Sequence, residues 1–344
     1  MIQNSKEERE YQQTQLRVSY HNSWSSNPIW KDALFKQVQS NLNANNLSQI
    51  LSPLQIDTAV ATDVLYNAPK LNRLFSTLLD VYELLPYHPD MAFDCMWRTL
   101  EVAIKMYVSD FDSHFTDKAA NHYVHLRTED YLLHICDSVF VKGGKADSNV
   151  LDLLNQWIEN IPFSTLRFVT ARMFLSNELQ LIPDSDNVSK RTREELGTSL
   201  YEDLKLKYFT SNELSADNHR RIILFMRKLL RGEQMTIETT EGKTHTYKLS
   251  LQYRVVFICS SIMYSSRCCR FHGDYFSILK SERSNLNTYY GQYWMFTLCY
   301  YLFWVILHSS TEKYGLKPFF SLKKVQTSSA ATMYNMLRVL DNRI

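Results

Sequence analysis

Glycine and proline are the residues a chain spends on tight turns, and this sequence of 344 residues holds only eight of each. Average usage would place about 40 in a chain of this length. A β-sandwich or barrel needs turn signals every 8–12 residues or so, so the shortage selects long helices and few hairpins: an all-α fold. The apolar fraction of 45% against 22% charged residues supplies a core and excludes disordered, collagen-like and mucin-like chains.

Apolar spacing then places the helices. The first 27 or so residues are polar and read as a frayed arm. Trp30, Leu34, Val38 and Leu42 step by four after Asn27-Pro28, an amphipathic start. Leu71 to Leu85 carries Leu71, Leu74, Phe75, Leu78, Leu79 and Tyr82, the pattern of a core-facing helix. Pro86 and Pro89 break the chain, and Asp90 is positioned to cap a helix lined by Phe93, Met96, Trp97, Leu100, Ile104 and Tyr107. Further helices are expected near 126–141, ended by Lys142-Gly143-Gly144, and at 149–160, 163–181, 192–208 and 216–231, the last closed by Gly232. Residues 235–249 are the one stretch with strand character, a small hairpin turning at Glu241-Gly242. From Leu251, two adjacent apolar rows make a wide stripe and an interior helix. An aromatic helix is expected at Tyr289–Ser309 and a final helix at Ser328–Leu340.

Lys and Arg number 38 against 36 Asp and Glu, a net charge of +2, so any nucleic-acid contact must be local rather than spread over the whole surface. The cysteines, Cys95, Cys136, Cys259, Cys268, Cys269 and Cys299, form no C-x-x-C pair and lie mostly in apolar runs, as reduced, partly buried thiols of a cytoplasmic protein do. The polar start lacks the apolar core of a signal peptide. Tyr293–Leu307 is the one membrane suspect, but 15 residues span only about 22 Å, short of a hydrocarbon core of about 30 Å. With a mean hydropathy of −0.30, it reads as a buried helix, and no membrane partner is expected.

Few motifs carry chemistry. Asp110, Asp112, His114, His122 and His125 are metal-ligating types, but their spacing suits a solvated connector better than a metal site. No phosphate-binding glycine loop, G-x-S-x-G elbow or H-E-x-x-H is present, so neither metal nor cofactor is called for. The adjacent Cys268-Cys269 reads as structural. The segment that stands out is Arg267-Cys-Cys-Arg-Phe-His272-Gly273. Arginine and histidine separated by four to six residues occur about twice by chance at this composition, and the chain holds two such pairs. The second, Arg127 and His134, fits a row along a surface helix. The first stands where an apolar helix gives way to glycine, a polar linker and the aromatic helix.

That segment and its context resemble the HEPN superfamily, in the RCxxxHG form of its Apea-like members. Pro89–Phe93 and Trp97–Glu101 resemble the family's first long helix. The resemblance covers about residues 85–315 and departs from the commonest motif at Cys268, where a polar residue is usual. It implies a HEPN-like helical bundle over residues 85–320, with an insertion around 180–250, a helical region at 1–84 and a C-terminal helix at 321–344. It further implies a homodimer, and a metal-independent endoribonuclease of defence or toxin systems. The alternative is a non-catalytic module that dimerises or docks a regulatory protein. In the first case Arg267 and His272 are catalytic and Arg270 contacts RNA.

The chemistry suits those residues. A neutral imidazole takes the proton of the RNA 2′-hydroxyl, and a guanidinium holds the phosphate oxygens as charge builds. The products are a 2′,3′-cyclic phosphate and a 5′-hydroxyl. In an unbroken helix residues five apart point about 140° from each other, so either the helix ends near Phe271 and frees His272 to turn back, or two protomers share one groove. Both side chains are expected past the apolar stripe, where truncation removes a cap and little core. The aromatic helix is apolar all round, and part of it is expected in a homodimer interface.

Overall fold

The computed structural model describes residues 49–86, 88–111, 128–142, 144–175, 197–209, 214–238, 242–271 and 286–341. These are mostly helical, and their buried side chains join into one core running from Ile50 to Leu340. In chain order come α1 (Thr58–Asn67), α2 (Pro69–Glu83) and α3 (Pro89–Phe111), then α4 (Thr128–Ile135), which continues as a π-turn segment through Phe140. Strands β1 (Val141–Lys142) and β2 (Lys145–Ala146) precede α5 (Ser148–Glu159), α6 (Phe163–Leu175), α7 (Thr198–Tyr208) and α8 (Ala216–Leu230). The hairpin of β3 (Met235–Glu238) and β4 (Thr244–Tyr247) follows. One rod then comprises α9 (Leu251–Val256), a π segment (Phe257–Tyr264) and α10 (Ser265–Phe271). The chain closes with α11 (Leu286–Lys313) and α12 (Leu322–Met336), the latter extended as a π segment to Asp341.

The centre is α11. Every residue from Tyr289 to Thr311 is buried, so neighbours must surround it on all sides. Its most extensive partner is α3, which runs beside it in the same direction. At one end the Tyr293 hydroxyl donates to the Pro86 carbonyl; at the other, Phe111 and Tyr314 meet edge to face with ring centroids 4.9 Å apart. Packing α2 antiparallel on α3 joins the Thr99 and Thr77 hydroxyls at 3.0 Å and the Lys70 ammonium to Asp110. On another flank, α5 and α12 meet where Trp157 Nε1 donates to Ser329 Oγ at 2.6 Å. The chain itself therefore covers the aromatic helix, which corrects the expectation that a second protomer is needed to bury it.

Most expected elements are present, with informative exceptions. The helix α3 starts at Pro89, because the Ala92 amide donates to the His88 carbonyl; Asp90 lies buried in the first turn rather than at the cap. Leu79 is 60% exposed and leaves the α2 stripe, which Leu71, Leu74, Leu78 and Val81 carry. Instead of simply stopping a helix, Lys142 enters a two-residue hairpin in which Val141 pairs with Ala146. The last helix begins six residues earlier than expected, since Ser321 accepts from the Lys324 amide and caps it. The wide stripe after Leu251 has a structural cause as well: Phe257–Met263 are all buried, in a segment wound with wider π turns, a feature frequent near functional sites.

The hairpin is observed as expected, with Met235 opposite Tyr247 and Ile237 opposite His245. Gly232 closes α8 as expected too. Its amide donates to the Leu229 carbonyl at 2.9 Å and that of Glu233 to Lys228 at 3.2 Å, at a φ of 82°, the geometry of a left-handed helix cap. A Cβ there would also stand 3.2 Å from Arg254 Nη1. Gly232→Ala should thus cost about 2–3 kcal/mol, from strain plus displacement of a buried guanidinium. Gly242→Ala, at a φ of 74° with open space around it, should cost about 1 kcal/mol. Urea midpoints of the two variants against the parent check the order.

Candidate functional site

The sequence points to the end of the rod that carries Arg267. Two contacts fix its level in the bundle. Trp97 of α3 meets Tyr264 at 6.4 Å between ring centroids, and Cys299 Sγ of α11 lies 3.4 Å from Met263 Sδ. Nearer the start of the rod, Gln252 Nε2 donates to the Leu133 carbonyl of α4. Because α4 runs alongside α3, with Thr128 bonded to Glu101 and Tyr107 to Ser138, the rod is antiparallel to α3. Its last turns point toward the first turns of α3 and α11, where Asp90 and Tyr289 are buried. Burial pushes the Tyr289 hydroxyl up to about 12, with the nearby Asp90 carboxylate adding to the effect.

Within α10, Cys268 is buried. Arg267 is half-buried and its Nε is enclosed. This corrects the expectation that the arginine stands clear of the core: truncating it opens a packed site rather than removing a cap alone. The backbone of Arg270 lies in α10, while its side chain, and His272 and Gly273 altogether, lie outside the described residues. So does Arg127, leaving only His134 of the second arginine–histidine pair, exposed on α4.

The metal-type residues read from the sequence lead elsewhere. Asp112, His114, His122 and His125 lie outside the described residues. Asp110 is bound by the Lys70 ammonium at 2.7 and 2.8 Å and by the Tyr314 hydroxyl. Burial alone would raise its carboxyl, but these two donors outweigh that and hold it below its ordinary value. It acts as a clasp between α2, α3 and the end of α11.

One polar constellation escaped sequence reasoning. Asp203 of α7 is buried, and its Oδ2 accepts from His245 Nδ1 at 2.6 Å and from the Tyr247 hydroxyl at 2.5 Å. The three residues lie 42 and 44 positions apart, so no local spacing announces them. They anchor the hairpin to α7. Desolvation raises the Asp203 carboxyl, but the two hydrogen bonds outweigh it and leave it lowered. A lowered carboxyl contributes stability that is present above its unfolded value of about 3.9 and is lost as pH falls through the folded value. Stability measured from pH 7 down to pH 3 should therefore fall more steeply below about pH 4 in the parent than in Asp203→Asn, and the variant should be the less stable of the two at pH 7.

Among the described residues, no group of three or more His, Cys, Asp or Glu is arranged to hold a metal ion, and no helix is long and apolar enough to cross a membrane. No protein-family model matches the chain, and neither a curated protein nor a solved structure matches it.

Proposed function

We propose that the protein is a metal-independent endoribonuclease of the HEPN type, with Arg267 and His272 as its catalytic pair. The observation that carries the proposal is the place of Arg267: it stands in the last described turn of a buried helix, at the bundle end where α3 and α11 begin. Packing that encloses one side of a guanidinium presets its direction and lowers the entropy of gripping a phosphate. His272, five residues on, takes the 2′-hydroxyl proton and returns it to the leaving 5′-oxygen. Arg267 stabilises the charge that builds on the non-bridging oxygens, and Arg270 holds a neighbouring phosphate. Two protomers face each other so that both motifs line one groove. Because α11 is already covered within one chain, that dimer forms through the ends of the bundle rather than through the aromatic helix. Defence or toxin action follows from the family resemblance.

Cleavage of a fluorescent single-stranded RNA in EDTA tests the reading. His272→Ala should lower the rate by roughly 10²–10⁴ with an unchanged melting temperature. Since Arg267 is enclosed, Arg267→Ala should also destabilise the fold. Arg267→Lys is the cleaner probe, because it keeps charge and stem, loses the planar fork and should still abolish most cleavage. Arg127→Ala should leave cleavage unchanged. A lower melting temperature for the Arg267 variants with undiminished cleavage would make the motif structural and favour the interaction-module reading; loss of parental activity in EDTA would point to metal chemistry. Sedimentation at micromolar concentration should show a dimer, and a strict monomer would remove the shared groove.

A further inference from the structure

We infer that the solvent face of α8 is a docking surface for the phosphate backbone of RNA, a reading that rests on the proposed ribonuclease function and adds to it the surface that holds the substrate. α8 is sharply two-sided. His219, Ile222, Ile223, Phe225, Met226, Leu229 and Leu230 are buried. The opposite face presents Arg220, Arg221, Leu224, Arg227, Lys228 and, just past the helix, Arg231. All but Arg227 are exposed; within α8 the one carboxylate is Asp217, in the first turn, and Glu159 and Glu233 stand beside Arg231 past its end. Arg220 to Lys228 spans about 12 Å of helix axis, room for several backbone phosphates. Residues 197–254 carry ten Lys or Arg and seven Asp or Glu, a net +3 in a chain whose total is +2. The α8 face supplies one local basic surface of the kind a near-neutral nucleic-acid protein requires.

Two of these cations are tied to neighbours within the fold. Arg227 is tied to the Ile161 carbonyl at 3.1 Å, and Arg231 reaches Glu159 and Glu233 at 3.5 and 3.4 Å. Among the described residues, Arg220, Arg221 and Lys228 have no carboxylate within ion-pair distance. Adjacent elements extend the face. Lys207 of α7 sits 5.9 Å from the Tyr208 ring centroid, and the Tyr208 carbonyl accepts from Asn218 Nδ2 of α8 at 2.7 Å, which brings this cation alongside the face. On α6, Arg167 is near enough to add to the burial that lowers His219.

The face also leads to the right end of the molecule. The corner at 160–165 that receives Arg227 also accepts the Tyr290 hydroxyl at the Asn160 carbonyl, 2.7 Å away, and packs Ser164 and Thr165 against Gly291. The C-terminal half of α8 and the first turns of α11 meet there, at the end of the bundle toward which α10 points.

The test compares two double charge reversals in the full chain: Arg220→Glu with Arg221→Glu, and, as a control of equal charge change, Lys323→Glu with Lys324→Glu on the exposed first turn of α12. All four side chains are exposed, and circular dichroism and melting confirm folding. Binding of a labelled 20-nucleotide single-stranded RNA is read by anisotropy in EDTA across a salt series. The α8 pair should weaken binding at least tenfold and flatten the log–log salt slope by about 1.4, the value for two lost single-strand phosphate contacts; the control should change binding less than twofold. Equal weakening by both pairs, or none by the α8 pair, overturns the docking surface. So does loss of binding to phosphatidylserine vesicles with RNA binding intact, which would assign the face to anionic lipid. RNA bound through α8 by a parent that cuts no RNA would sink the nuclease reading and leave the surface standing. Undiminished cleavage and binding in the α8 pair would do the reverse.

Discussion

The architecture follows from one helix that has no polar face. A helix in water with aromatic and aliphatic groups on every side is stable only if it is enclosed, and α11 is enclosed by elements drawn from the whole chain. The hydrophobic effect supplies the drive but is non-directional; direction comes from the polar tips on its aromatic rings. Trp294 Nε1 donates to the Trp157 carbonyl at 2.9 Å, the Tyr301 hydroxyl joins Thr332, Ser328 and the Ser52 carbonyl, and the Tyr300 hydroxyl meets Tyr82 and the Leu54 amide. The partners lie on α5, α12, α2 and the segment before α1, and leaving any of these groups buried without its bond would cost about 1–3 kcal/mol. The register of α5, α12 and the segment before α1 is thus set by hydroxyl and indole geometry rather than by shape alone.

That enclosure decides where function can sit. A helix buried along its length offers no groove on its flanks, so chemistry is confined to the ends of the bundle and to elements packed outside it. Arg267 of the proposed catalytic pair lies near one end, on a rod that packs on α3 at Trp97 and on α11 at Cys299. The hairpin, α7 and α8 pack chiefly on one another and on α6. They carry the basic face and the Asp203–His245–Tyr247 anchor.

How much of this the sequence revealed depends on the range over which each feature is encoded. Helix faces, the Gly232 cap and the β3–β4 hairpin are written within a few residues of themselves, and they read correctly. Apolar spacing places the start of α12 only at Ser328, because Lys323, Lys324 and Gln326 look like linker, and the cap that overrides them is a single serine. Tertiary packing decided the rest. Leu79 fits the α2 stripe by spacing yet faces water, and the π turns after Val256 widen a face that an ideal α period narrows. Asp110 carries a metal-like signature beside Asp112 and His114, but its partners are a lysine 40 residues upstream and a tyrosine 204 residues downstream. The half-burial of Arg267 was not legible, because spacing along one helix does not report what packs against it.

The half-burial of Arg267 bears on how such a site would work. An arginine free in solvent gives up about 2 kcal/mol of rotamer entropy when it is fixed, and water screens its charge. Enclosure of its Nε within the fold meets part of that ordering cost during folding, before any phosphate would arrive. A weakly polar cysteine next to the arginine fits this arrangement better than a charged or amide side chain, because the position faces the core: a polar group there would need a buried partner of its own. Cys268 is then a residue suited to the burial of that turn.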